Sequence, residues 1–183
     1  MRRTAAPAPT GVERRFEPDE IIVTKTDLKG HITYANQVFL RVSAYTEAEV
    51  MGQPHSMIRH PDMPRGVFQL LWERLSERKE LFAYACNLAG DGAHYWVFAH
   101  VTPSIRPDGI VVGYHSSRRV APRRAIEEAR GVYEQVRTEE RRFHAAHDAA
   151  VAGKEKLDEV LAARGLSFDE WVWALAEEAV TQR

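Results

Sequence analysis

Three prolines within one short stretch constrain this chain more than any other feature. From Gly52 to Pro64 the sequence reads Gly-Gln-Pro-His-Ser-Met-Ile-Arg-His-Pro-Asp-Met-Pro. Pro54, Pro61 and Pro64 each fix φ and remove a backbone donor, so one continuous helix is excluded and short turns of defined shape are expected. Two histidines, Arg59 and Asp62 lie in the same stretch, between two segments with helical signals. That is more fixed polar chemistry than a connector requires, and it makes the stretch the candidate binding site.

Upstream, Ile21-Ile22-Val23-Thr24 is β-branched and reads as a strand. Asp27-Leu28-Lys29-Gly30 supplies turn chemistry, and His31 to Ala35 reads as the hairpin partner. Asn36 starts a short apolar helix through Val38, Phe39, Leu40 and Val42, and Thr46-x-x-Glu49 is a capping box for the next one, which Gly52 can end. Downstream, Phe68, Leu71, Trp72 and Leu75 recur with the period of an amphipathic helix that begins at Pro64. Leu81 to Leu88, His94 to about Ile105, and Ile110 to His115 read as three strands, separated by Gly90-Asp91-Gly92 and Pro107-Asp108-Gly109. The order predicts an α+β domain with a five-stranded antiparallel sheet, over residues 19–121.

Residues 1–18, with Ala-Pro-Ala-Pro and scattered arginines, read as a flexible arm. Residues 122–183 read as a helical tail for dimerisation or partner docking. Ile126, Ala129, Tyr133 and Val136 hold a helical period, Gly165 fits a stop, and Ser167-x-x-Glu170 caps a last helix carrying Trp171, Val172, Trp173 and Leu175. That apolar helix must bury itself on the tail or on a second subunit. His144-x-x-His147 puts two imidazoles on one predicted helical face, without a third ligand that would favour metal over a solvated pair.

A net charge of -1 gives no electrostatic case for nucleic acid. The lone Cys86 excludes an internal disulfide and suits a reducing compartment. No segment reaches the ~20 apolar residues of a membrane span, so a cytoplasmic protein without membrane insertion is expected. No Ser-His-Asp order, paired carboxylates or phosphate-cradling glycine loop suggests an enzyme.

Tyr34-Ala35-Asn36, the run from Tyr45 to Gly52 and the strand order resemble PAS sensory domains. Gly52-Gln53-Pro54-His55, Met57, Arg59-His60-Pro61-Asp62-Met63-Pro64, Trp72, Asn87 and His94-Tyr95-Trp96-Val97 narrow the resemblance to the flavin-binding PAS domain of bacterial aerotaxis transducers. The resemblance covers Ile21 to about Arg119. It implies a PAS fold with short helices on one face of the sheet, noncovalent FAD, redox or oxygen sensing, and output through a signalling protein such as a chemoreceptor or kinase, with a homodimer expected. Those transducers continue into a membrane anchor and signalling rod that this sequence lacks, and they commonly place a tryptophan where this sequence has Leu81.

A flavin requires an apolar slot, amide-like groups for its pyrimidine edge and cations for its phosphates. Trp72 and Phe68 are candidates for the slot, with Trp72 equally a core residue of its helix. Asn36 and Asn87 are candidates for the ring edge, with Asn36 alternatively a helix cap. Arg59 is the candidate for the pyrophosphate. His55, Met57, His60, Asp62 and Trp96 complete the expected site, with His60 and His55 able to titrate near neutrality. In the competing reading, Asp62 caps the following helix and pairs with Arg59 while His60 fills a turn. Two other functions stay open: a haem b gas sensor using His60 or His94, and a cofactor-free interaction module. Cys86 lies on a strand rather than in the helical motif of adduct-forming photoreceptors, so covalent flavin photochemistry is not expected.

Overall fold

The hairpin at the start of the domain forms where β-branched residues flank Asp27-Leu28-Lys29-Gly30. Asp27 Oδ1 accepts from the backbone amides of Lys29 and His31, and Gly30 takes a positive φ of 81°. The computed structural model describes residues 7–181, with side chains described through Glu177. Strands β1 (Ile22–Thr26) and β2 (Ile32–Ala35) make the hairpin. Helices α1 (Gln37–Ser43) and α2 (Glu47–Val50) follow, the second with the expected Thr46/Glu49 capping box. The proline-rich stretch folds as a 3-10 turn over His55–Ile58, a bridge residue at Arg59 and a second turn closed by the Met63 amide on His60 O at 3.0 Å, ending where α3 (Arg65–Ser76) begins.

Strands β3 (Leu81–Leu88), β4 (His94–Ile105) and β5 (Val111–Val120) complete an antiparallel five-stranded sheet of order β2-β1-β5-β4-β3. The fifth strand runs past His115 to Val120, because its second half is paired on both sides, to Ile22–Thr26 of β1 and to Val97–Val101 of β4. Pairing in the middle of the sheet holds arginines there that read as a strand exit in the sequence.

The tail is three helices, α4 (Arg123–Glu140), α5 (Ala146–Ala162) and α6 (Phe168–Thr181). Side chains on β3 and β4 alternate between two faces. The face bearing Tyr84, Cys86 and Trp96 joins one buried cluster with Ala129, Tyr133 and Val136 of α4 and Trp171 and Val172 of α6. The buried side chains of the last helix, Phe168, Trp171, Val172 and Leu175, thus pack within their own chain. Ser167 and Glu170 exchange the expected capping hydrogen bonds. Helix α5 lies so close to α3 that a Cβ on Gly66 would stand 2.3 Å from the Gly153 carbonyl carbon.

The reading of residues 1–18 as a flexible arm is corrected for its second half; Met1 to Ala6 lie outside the described residues, as do Gln182 and Arg183 of the tail. From Thr10 the segment is tied to the sheet. The amide of Thr10 donates to Gly92 O at 2.9 Å, Glu13 bridges His94, Arg14 reaches Asp91 and Val42 O, and Phe16 is buried. These partners are far away in sequence, so local composition carried no sign of them. His144 is likewise corrected: it stands in the turn before α5, not on a shared helical face with His147. Among the described residues no group of three or more metal-ligating side chains forms, and no helix is long and apolar enough to cross a membrane.

Candidate functional site

The sheet face opposite the tail is paved with small residues. Ala83 and Ala85 on β3 and Ala99 on β4 face α3 across a gap that larger side chains would fill. The result is a cavity of about 390 Å³, within the range of small-molecule sites. Its roof is Ile58, Met63, Val67, Phe68, Leu71 and Trp72; its floor is continued by Leu81, Val101 and Tyr114. Leu81 thus lines the cavity directly.

Polar groups reach this apolar space at two places. At one, Arg59 and Asn87 form an isolated antiparallel backbone bridge between the proline-rich stretch and β3. The Arg59 guanidinium lies 3.4 Å from the centre of the Phe68 ring, with its Nε buried and unpaired; Asn87 Nδ2 is also buried and unpaired. Burial, reinforced by Arg65, pushes the Arg59 pKa down to about 10, so the group stays charged at neutral pH.

At the other place, on β1 and β5, Arg118 Nη2 donates to His55 Nε2 and to Thr24 Oγ1, both at 2.6 Å. Since arginine only donates, His55 accepts at Nε2 and is neutral with its proton on Nδ1. Burial, then the neighbouring Arg118 charge, holds the His55 pKa well below its ordinary value. Ser116 Oγ and Arg118 Nη1 are buried there without partners.

Five of the ten expected site residues thus line one cavity: His55, Arg59, Phe68, Trp72 and Asn87. Trp72 is not core; it is 44% exposed at the lip, edge-on to Tyr114 and over Gly30. The other five do not line it. Asn36 is consumed as the α1 cap, its Oδ1 accepting from the Phe39 and Val23 amides and its Nδ2 donating to Ile21 O. Met57 packs with the Phe39 and Val50 cluster. Trp96 faces the tail, beneath the Arg130 guanidinium, because strand parity sends it away from Val97 and Ala99.

His60 is buried against His94 and, with Arg137, lines a separate polar cleft that shares Arg59 and Met63 with the cavity. Asp62 neither caps α3, whose first cap is Pro64 without a side-chain bond, nor pairs with Arg59; it pairs with Arg137 of α4 at 2.6 Å. Cys86 is buried, and burial pushes its thiol up to about 12, outside nucleophilic range. The two histidines named for haem, His60 and His94, do not line the cavity, and His55, which does, has its Nε2 engaged.

Thr24, Tyr114, Ser116 and Arg118 were missed as site residues. Strand parity is the signal that finds three of them: along a strand that runs to Val120, residues 114, 116 and 118 share one face.

The orphaned nitrogens, the apolar walls and the cation near each polar end fit a flavin, which needs donors at a flat ring's polar edge and positive charge for its phosphates. Comparison with known proteins agrees on the fold. Residues 32–118 match the PAS fold family. The aerotaxis receptor of Escherichia coli K12 is 42% identical over 100 residues, covering 55% of this chain and 20% of that protein. The nitrogen fixation regulatory protein of Klebsiella pneumoniae is 30% identical over 103 residues, covering 56% of this chain and 21% of that protein. The chain spans about a fifth of the length of these curated relatives. Among solved structures, the dark-state blue-light photoreceptor Aureochrome1 LOV superposes with a TM-score of 0.52 at 19% identity, over 60% of this chain and 80% of that one. A light-oxygen-voltage domain studied with a flavin analogue gives 0.53 at 18% identity, over 65% and 87%. At these identities the structural matches speak for the fold.

Proposed function

This chain carries a PAS domain followed by helices, and on that premise we propose that it binds FAD noncovalently and signals redox state or oxygen to a protein partner. The observation that carries the reading is the cavity itself, an apolar slot in which Arg59, Asn87 and Arg118 keep buried nitrogens without partners. Polar groups are rarely left so unless a ligand completes them. The similarity to an aerotaxis receptor and to nitrogen fixation regulators supports a sensory role.

When bound, a flavin supplies a ring whose charge and hydrogen bonding change on reduction. The residues of this chain offer a short path outward. Arg59 faces the cavity; three residues on, Asp62 pairs with Arg137 of α4, and the Gly66 amide donates to Glu140 of the same helix at 2.8 Å. A displacement of the Arg59 segment therefore works directly against the seat of the tail. A differential stabilisation of about 1.4 kcal/mol between two seatings shifts their ratio tenfold. Trp173, 44% exposed beside Phe82 and Phe98, lies on the surface such a shift would alter. A chemoreceptor or kinase is the class of partner proposed, with a homodimer as the working assembly and the cytoplasm as the compartment, in keeping with an unpaired buried thiol.

The test is reconstitution with FAD followed by gel filtration. Flavin absorbance near ~450 nm that travels with the protein supports the reading; protein that emerges colourless opposes it. A haem pigment instead would require an axial imidazole in the cavity, where His55 is already engaged by Arg118.

A further inference from the structure

Arg118 is 3% exposed, stands in the middle of the sheet between Ile22 and Ala99, and lines the cavity. Buried guanidinium groups are ordinarily paired with a carboxylate. This one has none among the described residues: its only hydrogen-bond partners are Thr24 and His55, both neutral, and its Nη1 is unpaired. Burial brings its pKa down to about 10, which leaves the charge in place at neutral pH. Phe39 stands at 5.9 Å and Tyr95 is also buried nearby, its hydroxyl pushed well above its ordinary value by burial, so neither supplies a negative charge. The neighbouring Ser116 Oγ adds a second unsatisfied polar atom on the same strand face.

We infer that Arg118, fixed by Thr24 and neutral His55, is the cavity's anion-selecting group, holding the negatively charged form of a ring ligand in preference to its neutral form. The inference rests on the FAD reading above and deepens it. A flavin ring that has taken two electrons and one proton carries a negative charge that the oxidised ring lacks. A fixed cation in a low-dielectric cavity favours that charge. Arg118 thereby sets which redox state the protein binds tighter, and with it the stimulus range.

The roles of the neighbours follow from geometry. Thr24 and His55 share Nη2, which orients the guanidinium plane and leaves Nη1 for the ligand. His55 does not compete for the ligand's charge because its acceptor nitrogen is turned to Arg118. Arg59, bridged to β3 at the other polar end, is left for a separate anionic part of the ligand.

The test compares oxidised and dithionite-reduced FAD on wild-type protein, Arg118→Gln and Arg118→Lys, with the midpoint potential read by dye equilibration. Wild type is expected to bind reduced FAD at least tenfold tighter than oxidised FAD, which raises the bound midpoint above that of free FAD by about 30 mV for a two-electron couple. Arg118→Gln is expected to lose that preference, its affinity for reduced FAD falling at least tenfold more than its affinity for oxidised FAD, and Arg118→Lys to keep part of it. A wild-type midpoint at or below that of free FAD overturns the inference even if neither variant folds. So does an Arg118→Gln protein with the wild-type preference. In both cases FAD binding itself stands; protein that takes up FAD in neither redox state overturns both readings.

Discussion

Arg59 and Asn87 meet through their backbones in an isolated bridge at the edge of the cavity, and each leaves one side-chain nitrogen buried without a partner. The proline-rich stretch is thus anchored to β3 at the point where both residues line the cavity. Buried unsatisfied donors cost stability, so Asn87→Ala should leave the ligand-free protein as stable as wild type or slightly more so, while weakening FAD binding about tenfold. Thermal melts of ligand-free protein beside flavin titrations check this; a loss of stability without a loss of affinity would assign Asn87 to the fold instead.

The Phe68 ring beneath the Arg59 guanidinium makes the charge and the stack separable. Arg59→Lys keeps a cation but loses the planar stack, and Arg59→Ala loses both. FAD affinity should fall about tenfold in the first and about a hundredfold in the second, with far-ultraviolet circular dichroism unchanged. Asp62→Ala, which removes an exposed carboxylate from Arg137 and from His60 Nδ1 at 3.7 Å, should cost about 0.2–1 kcal/mol of stability and leave FAD affinity within a few fold. An Asp62 variant as deficient in flavin as Arg59→Ala would place the carboxylate in the site after all.

Seating of the tail rests on two contacts that single substitutions can break. Tyr133, fully buried, donates to Tyr84 O at 2.7 Å, and Tyr133→Phe should cost about 1 kcal/mol. At Gly66 an added Cβ would meet backbone atoms of Gly153 and Lys154 at 2.3 and 2.4 Å, so Gly66→Ala must part α3 from α5 and should cost about 2–3 kcal/mol. Chemical denaturation measures both, and limited proteolysis should show faster cleavage between the domain and the tail in Gly66→Ala.

Acid should loosen the site from within. His55 is held neutral in the fold, with its pKa lowered well below 6.5 by burial and by Arg118. The unfolded chain therefore binds the extra proton first, and stability present above about pH 6.5 declines as pH falls toward the folded pKa. His60, also lowered chiefly by burial, acts in the same direction. His55→Gln should flatten the fall in melting temperature between about pH 7.5 and 5.5; an unchanged slope would move the effect to other groups.

The legible part of this protein was whatever local periodicity and turn chemistry encode. Asp27 to Gly30, the Thr46/Glu49 and Ser167/Glu170 caps, and the apolar period of α3 each specify their element from neighbouring residues, and each formed. Site membership depended instead on which way a strand residue points. Asn87 and Trp96 sit on neighbouring strands, yet one lines the cavity and the other lies under α4, and only the register distinguishes them. Arg118 carries no local signal of burial, because an arginine followed by another reads as a solvated strand end. Its burial comes from β1, nearly a hundred residues earlier in the chain. Asn36 shows the reverse: its local role as a cap uses its side chain so fully that none is left for a ligand.

The most direct measurement is a visible spectrum of the 183-residue chain after reconstitution with FAD and removal of free cofactor, recorded before and after dithionite. One flavin per chain is expected, with a band near ~450 nm that bleaches on reduction and is lost in Arg59→Ala with the fold intact. A colourless protein, or a Soret band in place of flavin absorbance, would contradict it.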